Sequence, residues 1–163
     1  MRVEIFETRE SEAVTTAAKI WSAATAKRDE VDPTDASYDD AVPLIQEVLD
    51  FSERSYLLAL KQSDEMLVFA ALQPVGDPDA KLAELRYLGV APGHWGSGWA
   101  RRLLVALPDT LRAHGFDEVE LWVYADNIRA IFVYEAMGWQ STSDTRKHHI
   151  TGRTEQRYRL KLN

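Results

Sequence analysis

Hydrophobic residues recur along the chain with the periods of strands and of helices in turn. Short alternating or continuous apolar runs predict strands, and longer runs with apolar positions three and four apart predict helices. Strands are predicted at 2–8, 56–61, 66–73, 83–90, 118–124, 140–145 and 156–162, and helices at 11–27, 40–51, 101–114 and 128–137. This order, β, α, α, β, β, β, α, β, α, β, β, predicts a single mixed α/β domain over residues 1–163.

Prolines and glycines modify this pattern at a few positions. Pro43 is expected to fit only in the first turn of its helix, where a missing N–H costs nothing. Pro108 removes one hydrogen bond of the helical ladder, so we expect it to kink or split its helix. Gly115 is a natural cap for the end of that helix. The polar, acidic segment 29–40, interrupted by Pro33, predicts a loop.

Composition narrows the class of protein. The 163 residues fit one domain, and 45% hydrophobic residues suffice to bury a core. With no apolar run of membrane-spanning length and no signal-peptide centre, we expect a cytoplasmic protein with no membrane partner. A formal charge of -7 argues against nucleic acid as a partner; it also suits attraction of a cationic amine, although most acidic surfaces serve only solubility, which is the favoured interpretation. The absence of cysteine excludes disulfides and a cysteine nucleophile.

The most informative segment is VAPGHWGSGWA, from Val90 to Ala100, between the fourth predicted strand and the third predicted helix. Glycines let the backbone approach an anion, and the free N–H groups of a first helical turn attract one. A ligand that carries a phosphate or pyrophosphate is therefore predicted. No lysine follows Gly98 as a P-loop requires, and Arg101 stands where the dinucleotide fingerprint has its third glycine.

Together with the later segment DNIRAIFVYEAMGW, residues 126–139, this segment resembles the GNAT family of N-acetyltransferases. The later segment is similar to the family pattern N-x-x-A-x-x-x-Y-x-x-x-G-F. The earlier one resembles [QR]-x-x-G-x-[GA], which in that family holds the pyrophosphate of acetyl-CoA; Trp95 departs from the usual Gln or Arg. The resemblance implies a GNAT-like fold, with a mixed, mostly antiparallel sheet of about seven strands flanked by about four helices.

The resemblance also implies an activity and its cofactor contacts. We expect transfer of the acetyl group of acetyl-CoA to a primary amine of a small molecule or peptide, by direct attack in a ternary complex. Homodimers are frequent in the family, so a homodimer is a candidate assembly, although the sequence itself does not give the oligomeric state. The implied cofactor-binding residues are Leu88, Gly89, Val90, Trp95, Gly96, Ser97, Gly98, Trp99, Ala100, Arg101, Asn127 and Tyr134. Gly89 is expected to mark a strand bulge, or alternatively the strand end.

Two residues are candidates for the chemistry. The resemblance implies that the Tyr134 hydroxyl acts as general acid near the CoA sulfur; the alternative is a core aromatic. Glu84 resembles the strand-four glutamate that takes the amine proton in some members; the alternative is a strand glutamate paired with Arg86 or Lys81. Glu120, on the fifth strand, is a second candidate base. Asn127 is also a natural N-cap for its helix, which would explain it without a ligand.

Other features are less specific. The basic segment 146–153, which contains His148 and His149, is expected either to contact an anion or to form a solvated hairpin tip. The four histidines lack metal-ligand spacing, so no metal is predicted. The acidic segment 29–40 is a candidate wall of an amine pocket through Asp32, Asp35 and Asp39. A non-catalytic acyl-CoA sensor or a nucleotide-binding regulatory domain stays open as an alternative.

Overall fold

The computed structural model describes residues 2–28 and 38–163. Its strands are β1 (Val3–Thr8), β2 (Tyr56–Gln62), β3 (Glu65–Pro74), β4 (Leu82–Val90), β5 (Glu118–Tyr124), β6 (Gln140–Lys147) and β7 (Thr154–Lys161). Its helices are α1 (Ser11–Arg28), α2 (Tyr38–Phe51), α3 (Trp99–Ala113) and α4 (Ile128–Ala136). The predicted order of elements is confirmed. Most of the predicted acidic loop, including Asp32 and Asp35, lies outside the described residues.

In the described residues, seven strands form one sheet in the order β1-β2-β3-β4-β5-β7-β6. Neighbouring strands are antiparallel except β4 and β5, which are parallel. A parallel pair needs a long crossover connection, and here α3 provides it. The expectation of a mixed, mostly antiparallel sheet is therefore confirmed.

The sheet carries a hydrophobic core on each face. Along β2, Tyr56 and Leu58 belong to the core under α3 and α4, whereas Leu57 and Ala59 belong to the core under α1 and α2. This alternation follows from the two-residue period of a strand. Burial of a leucine such as Leu58 stabilises the fold by about 1.5–3 kcal/mol. The core helices therefore fix the sheet from both sides.

The helices tolerate both prolines better than the sequence predicts. The structure places Pro43 at the sixth residue of α2, so its predicted confinement to the first turn is wrong. The helix α3 runs unbroken past Pro108, so the predicted split is also wrong. One lost ladder bond is outweighed there because Leu103, Leu107 and Leu111 are buried against the sheet. Within the described ranges, no helix is long and apolar enough to span a membrane.

Candidate active site

A cleft opens where β4 and β5 separate. The two strands are paired only over Leu82–Glu84 and Glu118–Glu120, and they diverge beyond that point. The cleft has a volume of about 520 Å³ and is lined by residues of helices α1–α4, of β4, β5 and β7, and of the turn between β6 and β7. Its walls therefore include helices from both faces of the sheet, α1 and α2 on one face and α4 on the other.

The glycine-rich segment forms one end of this region. Gly98 is the N-cap residue of α3, with a φ of +83°, and Gly96 has a φ of +78°. Glycine adopts this left-handed conformation without strain. In the described part of the chain, no protein group accepts a hydrogen bond from the N–H of Gly96, Gly98, Trp99 or Ala100. These free N–H groups, at the positive end of the helix dipole, suit a phosphate.

Trp95 connects the glycine-rich segment to β4. Its indole Nε1–H donates a hydrogen bond of 2.7 Å to the carbonyl of Val90, the last residue of β4. Trp95 as a whole is 38% exposed. Trp99, by contrast, is buried in the core, and the Arg102 guanidinium lies 4.6 Å from the centre of its ring. Only the backbone of Trp99 is therefore free to contact a ligand.

The segment Asn127–Trp139 builds helix α4 with defined ends. The side-chain oxygen of Asn127 accepts a hydrogen bond of 3.3 Å from the N–H of Ala130, which confirms the predicted N-cap. At the other end, Gly138 adopts a φ of +94°, and the N–H of Trp139 donates to the carbonyl of Tyr134 at 3.0 Å. This pattern is a Schellman motif. Asn127 therefore sets the start of α4, and the turn formed by Gly138 and Trp139 with the carbonyl of Tyr134 sets its end.

Tyr134 lies along the cleft together with Asn127 and Ala130. Its ring is almost wholly buried and packs at 5.8 Å from the ring of Trp139. Burial raises the pKa of Tyr134 to about 12. The hydroxyl therefore stays protonated near neutral pH and is a hydrogen-bond donor rather than a base.

The end of β4 forms another wall of the cleft through Leu88 and Val90. The predicted bulge at Gly89 is wrong: Gly89 pairs regularly with Phe69 of β3, and the irregularity lies at Arg86. Glycine is needed at position 89 for a different reason. A Cβ there would lie 2.9 Å from Cε1 of Phe69 and 3.2 Å from Cγ2 of Ile20. The core under α1 therefore requires the absence of a side chain.

The candidate bases on β4 and β5 lie at the closed end of the cleft. Glu84 and Glu120 are register partners in the last parallel pair, and neither lines the cleft. Glu84 is half-buried, with its Oε2 3.6 Å from Nε of Arg86. Burial, and secondarily the nearby Glu120, raise the pKa of Glu84, although Arg86 opposes the shift. Glu120 is buried, with its Oε1 3.2 Å from a guanidinium nitrogen of Arg159.

The turn between β6 and β7 lines the cleft and is not a solvated hairpin tip away from it. His148, His149, Ile150 and Thr151 all contribute to the wall. The Nδ1 atom of His148 accepts hydrogen bonds from the N–H groups of Ile150 and Thr151, at 3.2 and 3.1 Å. A neutral His148 ring therefore carries its proton on Nε2.

The sequence does not predict several of the residues that line the cleft, and the most important of these is Glu155. The seventh strand was predicted to begin at residue 156, but β7 begins at Thr154 and includes Glu155. Tyr87 and Trp122 also line the cleft. The only indication of this in the sequence is that they alternate with core residues along β4 and β5. No group of three or more potential metal ligands occurs among the residues that the structure describes.

The family model described as the Acetyltransferase (GNAT) family matches residues 17–139, so the chain belongs to that family. The [ribosomal protein bS18]-alanine N-acetyltransferase of Escherichia coli is 33% identical over 99 residues, which cover 61% of this chain and 64% of that protein. The mycothiol acetyltransferase of Beutenbergia cavernae is 47% identical over 62 residues, 38% of this chain. The chain spans only 21% of that relative's length.

Solved structures confirm the fold. The ribosomal-protein-S18-alanine N-acetyltransferase from Escherichia coli superposes with a TM-score of 0.75 and 25% identity, over 99% of this chain and 95% of that chain. The yncA protein from Salmonella typhimurium, solved with acetyl-CoA, gives a TM-score of 0.73 at 16% identity, over 99% and 94% of the two chains. The implied GNAT-like fold is thereby confirmed.

Proposed function

We propose that this protein transfers the acetyl group of acetyl-CoA to a primary amine of a small molecule or peptide. The observation that carries the proposal is the cleft between β4 and β5, which ends at a segment with unsatisfied backbone N–H groups. The relatives named mycothiol acetyltransferase and [ribosomal protein bS18]-alanine N-acetyltransferase support the same class of reaction.

The residues around the cleft fit acetyl-CoA as co-substrate. The pyrophosphate is assigned to the free N–H groups at Gly96, Gly98 and Ala100, next to the exposed side chains of Ser97 and Arg101. The pantetheine arm is assigned to the backbone of Leu88, Gly89 and Val90, because β4 has left its pairing with β5 there. One of these N–H groups would polarise the thioester carbonyl.

Tyr134 is assigned to the leaving group. As the amine nitrogen attacks the thioester carbon, the carbon–sulfur bond breaks and negative charge develops on sulfur. Because the pKa of Tyr134 is about 12, against about 8.5 for an ordinary thiol, full proton transfer would be uphill. The hydroxyl therefore acts as a hydrogen-bond donor that stabilises the thiolate, and solvent completes its protonation.

Glu84 is assigned as the proton acceptor for the amine. It lies beside the cleft-lining residues Leu85 and Arg86, but does not itself line the cleft, so the proton must reach it through a water molecule. Its raised pKa makes its carboxylate a better base than an ordinary glutamate. The sequence has no cysteine, which supports direct attack over an acetyl-cysteine intermediate.

An acyl-CoA sensor without catalysis is the second candidate. The observation that favours it is the set-back position of Glu84, together with Trp95 at a position where the family pattern has a polar donor. The two functions differ in turnover. A sensor would bind CoA and release no free thiol with any amine.

The test measures free CoA thiol released from acetyl-CoA with a panel of amines, in parallel with the thermal shift produced by CoA. Amine-dependent release would support the enzyme, and the protein contributes no thiol of its own. A thermal shift without release on a broad panel would support the sensor. If CoA caused no thermal shift and no amine released thiol, neither the enzyme nor the sensor would be supported.

A cytoplasmic location and a homodimer stay predictions.

A further inference from the structure

Glu155 differs from the other carboxylates near the cleft. Among the described residues that line the cleft, it is the only one with a carboxylate. It lies on β7 opposite Tyr124, the last residue of β5, and is 8% exposed. Glu155 is therefore placed at the open end of the gap between β4 and β5, whereas Glu84 and Glu120 lie at its closed end.

The carboxylate of Glu155 is only partly satisfied by the protein. Its Oε1 accepts a hydrogen bond of 2.9 Å from Nε of Arg146 on the neighbouring strand β6. No hydrogen bond or ion pair reaches its Oε2 from the residues that the structure describes. Glu155 as a whole is largely removed from water, and a carboxylate in such a setting favours a cationic or hydrogen-bonding partner. The free oxygen is thus available to a ligand in the cleft.

Glu155 and Tyr134 approach the cleft from opposite faces of the sheet. Tyr134 belongs to the core under α3 and α4, as do Leu121 and Val123 of β5. Because side chains alternate along a strand, Trp122 lies on the other face, and Arg146, the partner of Glu155, stacks on its ring at 4.1 Å. An acyl group held between the strands would have the leaving sulfur on the Tyr134 side and the attacking group on the Glu155 side.

The aromatic rings near Glu155 already have cationic partners. Arg146 lies over Trp122, and the Arg153 guanidinium lies 3.8 Å from the ring centre of Tyr124. Their ring faces are therefore less available to an incoming ammonium group, which could otherwise bind by a cation–π contact. A carboxylate with a free oxygen is the remaining group of complementary charge in this wall.

We propose that Glu155 binds the ammonium group of the acceptor through Oε2 and so selects amines over alcohols and thiols. This inference rests on the proposed acetyltransferase function. Once bound, the ammonium loses its proton through water to Glu84, and the nitrogen lone pair then faces the acyl carbon. Arg146 pairs with the other oxygen, Oε1, and the contact of Oε2 with the ammonium does not depend on that pair.

The test compares wild type with Glu155→Gln, using whichever of L-alaninamide, spermidine or glucosamine the wild type acetylates fastest. Glutamine keeps the shape and can still accept from Arg146, but it loses the negative charge. A charge-assisted hydrogen bond contributes about 1.5–3 kcal/mol, so KM for the amine is expected to rise by about ten- to a hundredfold. The KM for acetyl-CoA and kcat should stay within about threefold, since neither depends on the ammonium contact.

A second readout separates ligand binding from a structural role. The hydroxyl analogue of the chosen amine is measured as an inhibitor; wild type should bind the amine far more tightly than the analogue, and the variant should bind both alike. Arg146→Gln is the matched control, because it breaks the same ion pair and keeps the carboxylate. It should leave the preference for the amine intact. Equal loss of preference in both variants would assign Glu155 to the ion pair alone and overturn the proposal.

The outcomes also distinguish this inference from the proposed function. An active Glu155→Gln variant with an unchanged amine KM would contradict the inference and leave the acetyltransferase standing. A lower kcat at unchanged amine KM would likewise contradict it, because Glu155 would then act on the chemical step and not on binding. A wild-type protein that binds CoA and acetylates no amine would contradict the proposed function, and the inference with it.

Discussion

The indole N–H of Trp95 donates a hydrogen bond of 2.7 Å to the carbonyl of Val90, which ties the glycine-rich segment to the end of β4. The family pattern has a polar Gln or Arg at this position, so the tryptophan exchanges a direct donor for a conformational restraint. The restrained residue directly precedes the segment that carries the free N–H groups of Gly96 and Gly98.

We expect Trp95→Phe to weaken acetyl-CoA binding. Phenylalanine keeps an aromatic ring but removes the donor, and a neutral hydrogen bond contributes about 0.5–1.5 kcal/mol. The Kd for acetyl-CoA, measured by isothermal titration calorimetry, should rise about two- to tenfold. The melting temperature should change little, because Trp95 is 38% exposed and lies outside the buried core. An unchanged Kd would show that the bond to Val90 does not organise the segment.

Gly98→Val should abolish detectable cofactor binding without unfolding the chain. A Cβ at Gly98 meets no protein atom within 4 Å, so the side chain would project into the space assigned to the pyrophosphate. Gly76→Val is the matched control: its φ of +76° imposes comparable backbone strain, it also faces open space, and it lies outside the cleft. Thermal shift with CoA should vanish for the first variant and persist for the second. A normal shift in folded Gly98→Val would contradict the assignment of the pyrophosphate.

Tyr134→Phe should lower kcat by about ten- to a hundredfold, because it removes the donor assigned to the thiolate. The Kd for acetyl-CoA should stay within about twofold, since the ring contact with Trp139 is kept. Tyr158→Phe serves as control: it removes another core hydroxyl, which donates to Glu135, and should leave kcat unchanged. With a pKa of about 12, Tyr134 should cause no alkaline fall in kcat below about pH 11. Equal kcat for Tyr134→Phe and wild type would remove the hydroxyl from the chemistry.

Glu84→Gln should flatten the acid limb of the pH profile of kcat/KM and lower its plateau by about a hundredfold. Burial raises the pKa of Glu84 in the folded state, so the acid limb should lie above the usual range of a glutamate. Glu120→Gln is the control, because Glu120 is the register partner of Glu84 and is also buried. It should keep the acid limb and the plateau, and move the limb only toward lower pH, because the charge of Glu120 contributes to the raised pKa of Glu84. A retained acid limb in Glu84→Gln would identify another base.

The same variant has an expected effect on stability. A carboxyl whose pKa is higher in the folded than in the unfolded state destabilises the fold when ionised, and this cost disappears below the unfolded value of 4.5. Glu84→Gln should therefore gain melting temperature relative to wild type as the pH rises from about 4 to about 7. Differential scanning calorimetry at both pH values checks the sign. A difference that shrinks with rising pH would mean that the ion pair with Arg86 outweighs burial.

The parts of the fold with strong periodicity could be predicted from the sequence, and the parts with polar strands could not. The buried strands β2 and β3 lie close to their predicted bounds. The start of β7 was missed because the run from Thr154 to Arg157 is polar on both faces. On one face of β7, Glu155 pairs with Arg146 and Arg157 pairs with Glu120. Neither side chain packs under a helix that the structure describes.

In the candidate site, the roles that depend on sequence neighbours could be predicted, and the roles that depend on residues distant in sequence could not. The contributions of Gly98 and Asn127 are local, since each caps the helix that follows it, and their spacing is visible in the sequence. The role of Gly89 is set by Phe69 and Ile20, which are distant in sequence, so a local rule about strand glycines gave the wrong reason. Glu155 reaches the cleft only through the register of β7 with β5, which no local pattern specifies.

The short parallel pairing of β4 with β5 has a consequence for how the sheet behaves as a whole. Among the described residues, strands β1–β4 are joined to strands β5–β7 by three register pairs only, Leu82–Glu84 against Glu118–Glu120, and we call this short pairing the seam. In the proposed complex, a ligand arm along Leu88–Val90 would take the place of the strand that is missing beyond this seam. The loaded protein would then have a continuous sheet where the empty one has a gap, so its amide protection and resistance to unfolding are expected to follow the concentration of its own co-substrate.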